Sequence, residues 1–260
     1  MEVRSNPIPM TPLPDICEFL DRELKIDEIP DYGGAMNGLQ VENGEAVTKV
    51  AAAVDASEAV MDKAVAAGAD LLVVHHGLFW QGAQPLVGAM YRKIRRAMEA
   101  GMAVYSAHIP LDVHPQWGNN IGLARALGVE PDDTFFDWKG IRLGLCAEVD
   151  WKRADLLARL SELLGDGVHH CPGGPERVRK LGIVTGGAGS EVAVAAAAGV
   201  DTFLTGEGPH WSYPLAEELG VNLIYAGHYA TETFGVRTLA GVLAEKFALE
   251  QVFIDHPTGL

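Results

Sequence analysis

Six residues carry the chemistry to weigh first: His75, His76, His108, Asp112, His228 and Glu232. His75 and His76 end the apolar run LLVV and are followed by Gly77. Ligands of α/β folds bind beyond the carboxyl ends of strands, so two imidazoles at such an end suggest a metal site. On this pair alone, two hydrogen-bonded histidines at a loop entrance explain the pattern equally well. SAHIPLDVH, residues 106–114, follows another apolar strand and offers His108, Asp112 and His114. A carboxylate beside imidazoles suits Zn, Mn or Fe, although a turn or capping Asp before a helix at Asn119 is the plainer role. In LIYAGHYATETFG, residues 223–235, His228 ends a strand and Glu232 follows four positions later. That spacing lets both face one point. The plainer role has Thr231 capping the next helix and Glu232 sitting in its favourable first turn.

Together these signals are stronger, because all of them follow apolar strands. His75, His76, Asp112, His228 and Glu232 make too many N and O ligands for one tetrahedral zinc with an open position. They suit two divalent ions about 3.5–4 Å apart, with a bridging carboxylate. TGEGPH, residues 205–210, adds Glu207 and His210, read as a solvated Gly-rich turn. TGGAGSE lacks the lysine of a P-loop and the spacing of a dinucleotide fingerprint. YRKIRR, residues 91–96, is the one clear basic cluster. A solvated helix face is its ordinary role, and a phosphate-attracting patch the sharper one. His169 and His170 are expected on a surface loop, and His114 and His256 show no partner pattern.

Positioning such a site needs strands that end at one place. Strands are expected at 48–54, 70–74, 103–106, 141–149, 178–184, 201–204, 222–225 and 252–254, from apolar and β-branched runs. Helices are expected at 12–25, from a Ser57 cap to about Ala67, and at 91–100, 119–127, 154–164, 191–198, 213–219 and 231–247. The alternation predicts an α+β, or mixed α/β, architecture. Residues 130–138 and 165–177 are polar or Gly/Pro-rich and read as loops, the first as a lobe boundary. VAAGADLLVVHHG and AAAGVDTFLTGEG resemble each other, as an internal duplication would.

The chain has 260 residues, 48% of them hydrophobic, enough for a sizeable core. A formal net charge of −15 argues against binding duplex nucleic acid or anionic membrane. There is no secretory apolar segment in the first 14 residues and no run long enough to span a bilayer. Cys17, Cys146 and Cys171 lack ligand spacing, and reduced thiols in a cytoplasmic protein are the expectation.

NGLQVE (37–42), VVHHGLFW (73–80), AHIPLD (107–112), DTFLTGE (201–207) and AGHYATE (226–232) occur in this order. In that set the chain resembles the Ngg-interacting-factor-like family of dinuclear metal centre proteins, some named GTP cyclohydrolase I type 2, in its short form without an inserted middle domain. The resemblance implies that His76 and Asp112 bind one metal, His75 and His228 the other, and that Glu232 bridges them. It places His108 close to the metals; His108 and Glu232 are the candidate catalytic groups. It implies two intertwined three-layer-like lobes with the site in the cleft between them: residues 1–130 with 225–260 packed back on them, and residues 131–225. It also implies a toroidal homohexamer and a small-molecule substrate. For a GTP cyclohydrolase, hydroxide on the metals would attack the guanine ring and release formate. A two-metal phosphoesterase and a non-enzymatic metal-binding ring are the competing functions.

Overall fold

The computed structural model describes residues 10–44, 46–82 and 84–260. The reading of residues 1–9 as free of a secretory signal lies outside them. In chain order the elements begin with β1 (Thr11–Pro12), α1 (Leu13–Leu24), β2 (Gly38–Val41), β3 (Ala46–Val47), β4 (Lys49–Asp55), α2 (Glu58–Ala66), β5 (Leu71–His76), α3 (Gly88–Ala100) and β6 (Ala103–Ser106). They continue with α4 (Ile109–Asp112), α5 (Asn119–Ala126), β7 (Asp133–Trp138), β8 (Ile141–Lys152), α6 (Arg153–Leu164), β9 (His169–Pro172) and β10 (Arg177–Ile183). A 3-10 turn at Gly189–Glu191 leads into α7 (Val192–Ala197), β11 (Thr202–Thr205), α8 (Ser212–Leu219), β12 (Asn222–Tyr225), α9 (His228–Thr231), α10 (Thr233–Phe247) and β13 (Glu250–Phe253). The fold is mixed α/β, with helices and sheets of mixed strand direction. Among the described residues, no helix is long and apolar enough to cross a membrane.

The chain forms two compact units, residues 1–110 with 236–256, and residues 111–235 with 257–260. The first holds a five-stranded sheet in the order β13-β4-β5-β6-β2. Its four strands β13, β4, β5 and β6 run parallel, and β2 closes the edge antiparallel to β6. Leu71, Leu72, Val73 and Val74 of β5 are fully buried, which is why this strand reads as a continuous apolar run. Val60, Met61 and Ala64 of α2 pack in the same core. Ser57 caps that helix, its hydroxyl accepting from the Val60 N–H at 3.2 Å.

The second unit holds a six-stranded sheet, β7-β8-β10-β11-β12-β9, in which β10, β11 and β12 are parallel. Residues 133–138 and 169–172, read from sequence as loops, are its two edge strands. Their ladders use backbone groups, so polar side chains such as Asp133, Asp137 and His169 are tolerated there.

The two similar phrases occupy α2–β5 and α7–β11, and they are wired alike. Asp70 Oδ2 accepts from the N–H groups of Thr48 and Lys49 at 2.7 and 3.0 Å. Asp201 Oδ2 accepts from those of Arg179 and Lys180 at 2.8 and 2.9 Å. In both cases the Asp backbone N–H also donates to the residue that starts this pairing, Lys49 or Lys180. Each Asp therefore sets the start of a parallel strand pair, as a duplicated unit predicts. Replacing Asp201 with Ala leaves two backbone donors without this carboxylate and should cost about 2–4 kcal/mol. The measurement is the denaturant midpoint, expected to fall with an unchanged slope.

Candidate metal centre

In the first unit the strands deliver three histidines to one place. His75 and His76 lie within β5 itself, His76 pairing in register with Asp55 of β4. His108 stands two residues beyond the end of β6. One ring nitrogen from each of His75, His76 and His108 lies within 4.8 Å of the others. The ring centroids of His75 and His76 are 4.7 Å apart, and those of His75 and His108 4.9 Å.

Each ring is oriented by an oxygen at Nδ1. His75 Nδ1 donates to the Ala107 carbonyl at 2.9 Å. His76 Nδ1 meets Asp55 Oδ1 at 2.8 Å. His108 Nδ1 lies 2.9 and 3.1 Å from the two oxygens of Asp31. A carbonyl or carboxylate only accepts, so Nδ1 carries the proton and Nε2 is the lone-pair nitrogen of the neutral ring.

Asp31 was missed in the sequence because it stands alone in a polar stretch. Its carboxylate also accepts from the Tyr32 N–H at 2.6 Å and from Asn37 Nδ2 at 2.8 Å. Burial pushes this carboxyl up, but the bonds from His108, Asn37 and Tyr32 offset it and hold it below the usual carboxylate range. The NGLQVE motif now has a structural reason. Asn37 Oδ1 receives the His108 backbone N–H at 2.7 Å, and Gln40 Oε1 receives that of Leu78 at 2.6 Å. Both fix the turns next to the histidines. Gly77 is required there, since a Cβ would overlap Gln40 and Ser106.

The second unit presents carboxylates and one imidazole. Asp112 ends α4 and is nearly buried. Its Oδ1 accepts from Asn119 Nδ2 at 2.8 Å and from the Thr185 hydroxyl at 3.4 Å. Asn119 starts α5 and is fully buried, and its Oδ1 takes the Gly235 N–H at 2.7 Å. Glu232, 2% exposed, occupies the break between α9 and α10. One carboxylate oxygen of Asp112 and one of Glu232 lie within 4.8 Å of each other. His228 Nε2 is 3.2 Å from Glu232 Oε2, and its Nδ1 is 2.8 Å from Glu207 Oε1. Glu207, read as solvated, thus does for His228 what Asp55 does for His76. The two residues Glu207 and His76 fall at matching places in the duplicated phrases.

Thr231 does not cap the long helix. It lies in α9, where its hydroxyl accepts from the Gly186 N–H at 3.1 Å and donates to the His228 carbonyl at 3.0 Å. That tie is what sets the break at Glu232. The Gly-rich turns after β10 and β11 let backbone come close. At Gly186 a Cβ would overlap Glu232 Oε1, and at Gly206 it would meet the His228 Cα at 2.7 Å. A cavity of about 490 Å³ opens beside Asp112, bounded also by His114, Asn120, Asp132 and Arg142. That is within the range of small-molecule sites.

The remaining sequence candidates have local partners. In the basic cluster of α3, Arg92 pairs with Glu58 at 2.7 Å, Arg95 with Glu99 at 2.7 Å and Arg96 with Asp62 at 2.8 Å. Acids pair three of its four cations, and Lys93 donates to the Ala56 carbonyl at 3.0 Å, so the solvated helix face is the reading these contacts favour. His114 Nδ1 accepts the Trp117 N–H at 3.0 Å, and its ring stacks on Trp117. His169 and His170 lie on β9 rather than on a loop.

Burial pushes the His228 imidazole down, but the Glu232 and Glu207 carboxylates outweigh it and hold the group up at about 9. A cation seated on His228 must displace that proton. Uptake of metal at pH 7.5 should therefore release about one proton from this group. Calorimetry in buffers of different ionisation enthalpy measures it; an observed heat independent of buffer would overturn the expectation.

The sequence model of the family Duf34/NIF3 (NGG1p interacting factor 3) matches residues 11–258. A protein of Archaeoglobus fulgidus named GTP cyclohydrolase 1 type 2 homolog is 42% identical over 248 residues, covering 95% of this chain and 99% of that protein. Among solved structures, TTHA1606 of Thermus thermophilus is 39% identical with a TM-score of 0.82, covering 96% of this chain and all of that one. The structure of the protein ybgI, described as of unknown function, is 35% identical with a TM-score of 0.89 over 96% of this chain and all of its own.

Proposed function

The chain belongs to the Duf34/NIF3 family, and we propose that it is a dinuclear metal-binding protein that acts as a metal-dependent hydrolase. His76 and Asp112 hold one divalent ion, His75 and His228 hold the other, and Glu232 bridges both. Zinc, manganese and iron suit this set of imidazoles and carboxylates.

One observation carries the reading. Every imidazole assigned to a metal has its Nδ1 held by an oxygen: His75 by Ala107, His76 by Asp55, His228 by Glu207. Metal-binding histidines are oriented in this way, because the distal bond fixes the tautomer and makes the ligating nitrogen more basic. When bound, two divalent ions supply Lewis-acid and water-activating chemistry. The chain's own part is orientation. Asn119 and Thr185 fix the Asp112 oxygen, and Asp31 fixes His108 so that Nε2 is the atom able to take a proton from a substrate. The name borne by the relatives points to a purine nucleotide such as GTP as substrate. The same reading has the protein acting in the cytoplasm as a homohexamer.

Metal analysis and a substrate screen test this. Purified protein should carry close to two ions per chain, and His76→Ala should remove at least one. Metal-loaded protein should be offered nucleotides and phosphoesters, with formate and orthophosphate release separating ring opening from ester hydrolysis. Turnover by a His75→Ala/Glu232→Gln variant equal to that of the intact chain would defeat the hydrolase reading.

A further inference from the structure

We propose that the first unit is a complete one-ion site in its own right, in which His108 joins His75 and His76 as a ligand and Asp31 is the residue that holds it there. This rests on the metal-binding reading above and adds to it: His108 acquires a ligand role.

Three imidazoles and an open position are a full donor set for a zinc-like cation. The first unit supplies such a set without help. The three ring nitrogens lie within 4.8 Å of one another. All three rings have an acceptor at Nδ1, from Ala107, Asp55 and Asp31. All three therefore have Nε2 as the lone-pair nitrogen, and the three Nδ1 anchors prevent the rings from swapping roles. A histidine present only for packing would not need this common tautomer.

The support under His108 comes from several sides. The Asp31 side chain is 6% exposed and that of His108 is 11% exposed. Asp31 is bonded at the same time to His108, Asn37 and the backbone of Tyr32 and Ile109. The His108 backbone is pinned separately by Asn37. The Trp80 ring edge closes on the imidazole, at 4.8 Å and 87°. A ring gripped at its far nitrogen, its backbone and its edge has one atom left to present, and that atom faces two other imidazoles.

The carboxylate set of the second unit completes the two-ion state. Asp112, His228 and Glu232 bring two acids and one imidazole to it. His75 and His76, assigned to different ions in the two-ion state, share one in the one-ion state, and His108 Nε2 is a ligand only there, taking its proton-accepting role once both ions are bound.

The test uses the full chain stripped of metal and titrated with Zn²⁺. In an Asp112→Asn/His228→Ala/Glu232→Gln background, shown folded by circular dichroism, one Zn²⁺ per chain should still bind, with shifts of three imidazole signals in the NMR spectrum. Adding His108→Ala to that background should weaken binding at least 100-fold. Adding Asp31→Asn should weaken it about 10–100-fold, the usual effect of removing a residue that orients a ligand. A folded background variant that binds no Zn²⁺, or binds it equally well without His108, overturns the inference and leaves the two-ion reading standing. An intact chain that takes up no metal at all defeats that reading, and this inference with it.

Discussion

Gly186→Ala should strip the protein of metal and cost about 3–4 kcal/mol of stability, while the same change at the next residue should pass almost unnoticed. Gly186 has φ +73°, a left-handed conformation that costs an L-residue about 1–2 kcal/mol. A methyl group there would also overlap Glu232 Oε1 and come within 3.3 Å of His228 Nε2. Glu232 is 2% exposed and cannot swing into solvent, so relief must come from the backbone. That backbone is heavily committed. The Gly186 N–H donates to Thr231, and its carbonyl accepts from the N–H groups of Gly206 and Glu207 and from the Thr205 hydroxyl. Displacing it moves the residues that place His228, Glu207 and Glu232 together. At Gly187 a Cβ would lie 3.5 Å from the His228 ring, an ordinary contact, without an unusual φ. Denaturant unfolding and metal analysis of the two variants decide the matter. Wild-type stability and metal content in Gly186→Ala would refute the role given to this turn.

The contrast shows what the sequence can and cannot reveal. The strands of the parallel ladders were legible because burial on both faces writes them as apolar runs, as LLVV does in β5. Edge strands escaped for the opposite reason. Asp133–Trp138 and His169–Pro172 are held by backbone pairing and carry polar side chains, so composition hides them. The break before α10 was invisible too, because HYATETFG has no Pro to mark it and Thr231, a residue suited to capping, is diverted by a tertiary bond to Gly186. In the site, the groups with unusual clustering were visible: a histidine pair, a spaced histidine and glutamate. Asp31, Asp55 and Asn119 were not, although they fix His108, His76 and Asp112. Each is a lone polar residue whose partner is 7 to 77 positions away in sequence. Spacing along a chain cannot report contacts made by folding. Family resemblance assigned a role to each ligand; the orienting residues required coordinates.

Glu232→Gln should lower bound metal from about two ions to at most one per chain and flatten the pH dependence of the metal-free protein's stability. The substitution keeps shape and removes only charge, so packing around this buried side chain stays as it is. A neutral amide is a poor bridge between two cations, and the proposed pair loses the group that neutralises both. The same carboxylate acts on His228. Burial lowers that imidazole, and Glu232, followed by Glu207, raises it to about 9 against an ordinary 6.5. A folded-state value above the unfolded one adds stability that is fully present below about pH 6.5 and disappears as pH rises through about 9. The metal-free wild type should thus lose melting temperature across that window. In Glu232→Gln burial meets opposition from Glu207 alone, the His228 imidazole drops, and the loss across the window shrinks. The metal-loaded wild type should run the other way across the same window, because protons and cations compete for His228 and rising pH favours the cation. Melting curves from pH 6 to 9.5, with and without chelator, and a histidine NMR titration measure all of this. A His228 titration unmoved by the substitution would break the link between the two carboxylates and the imidazole. Two ions retained per chain would remove Glu232 from the bridge.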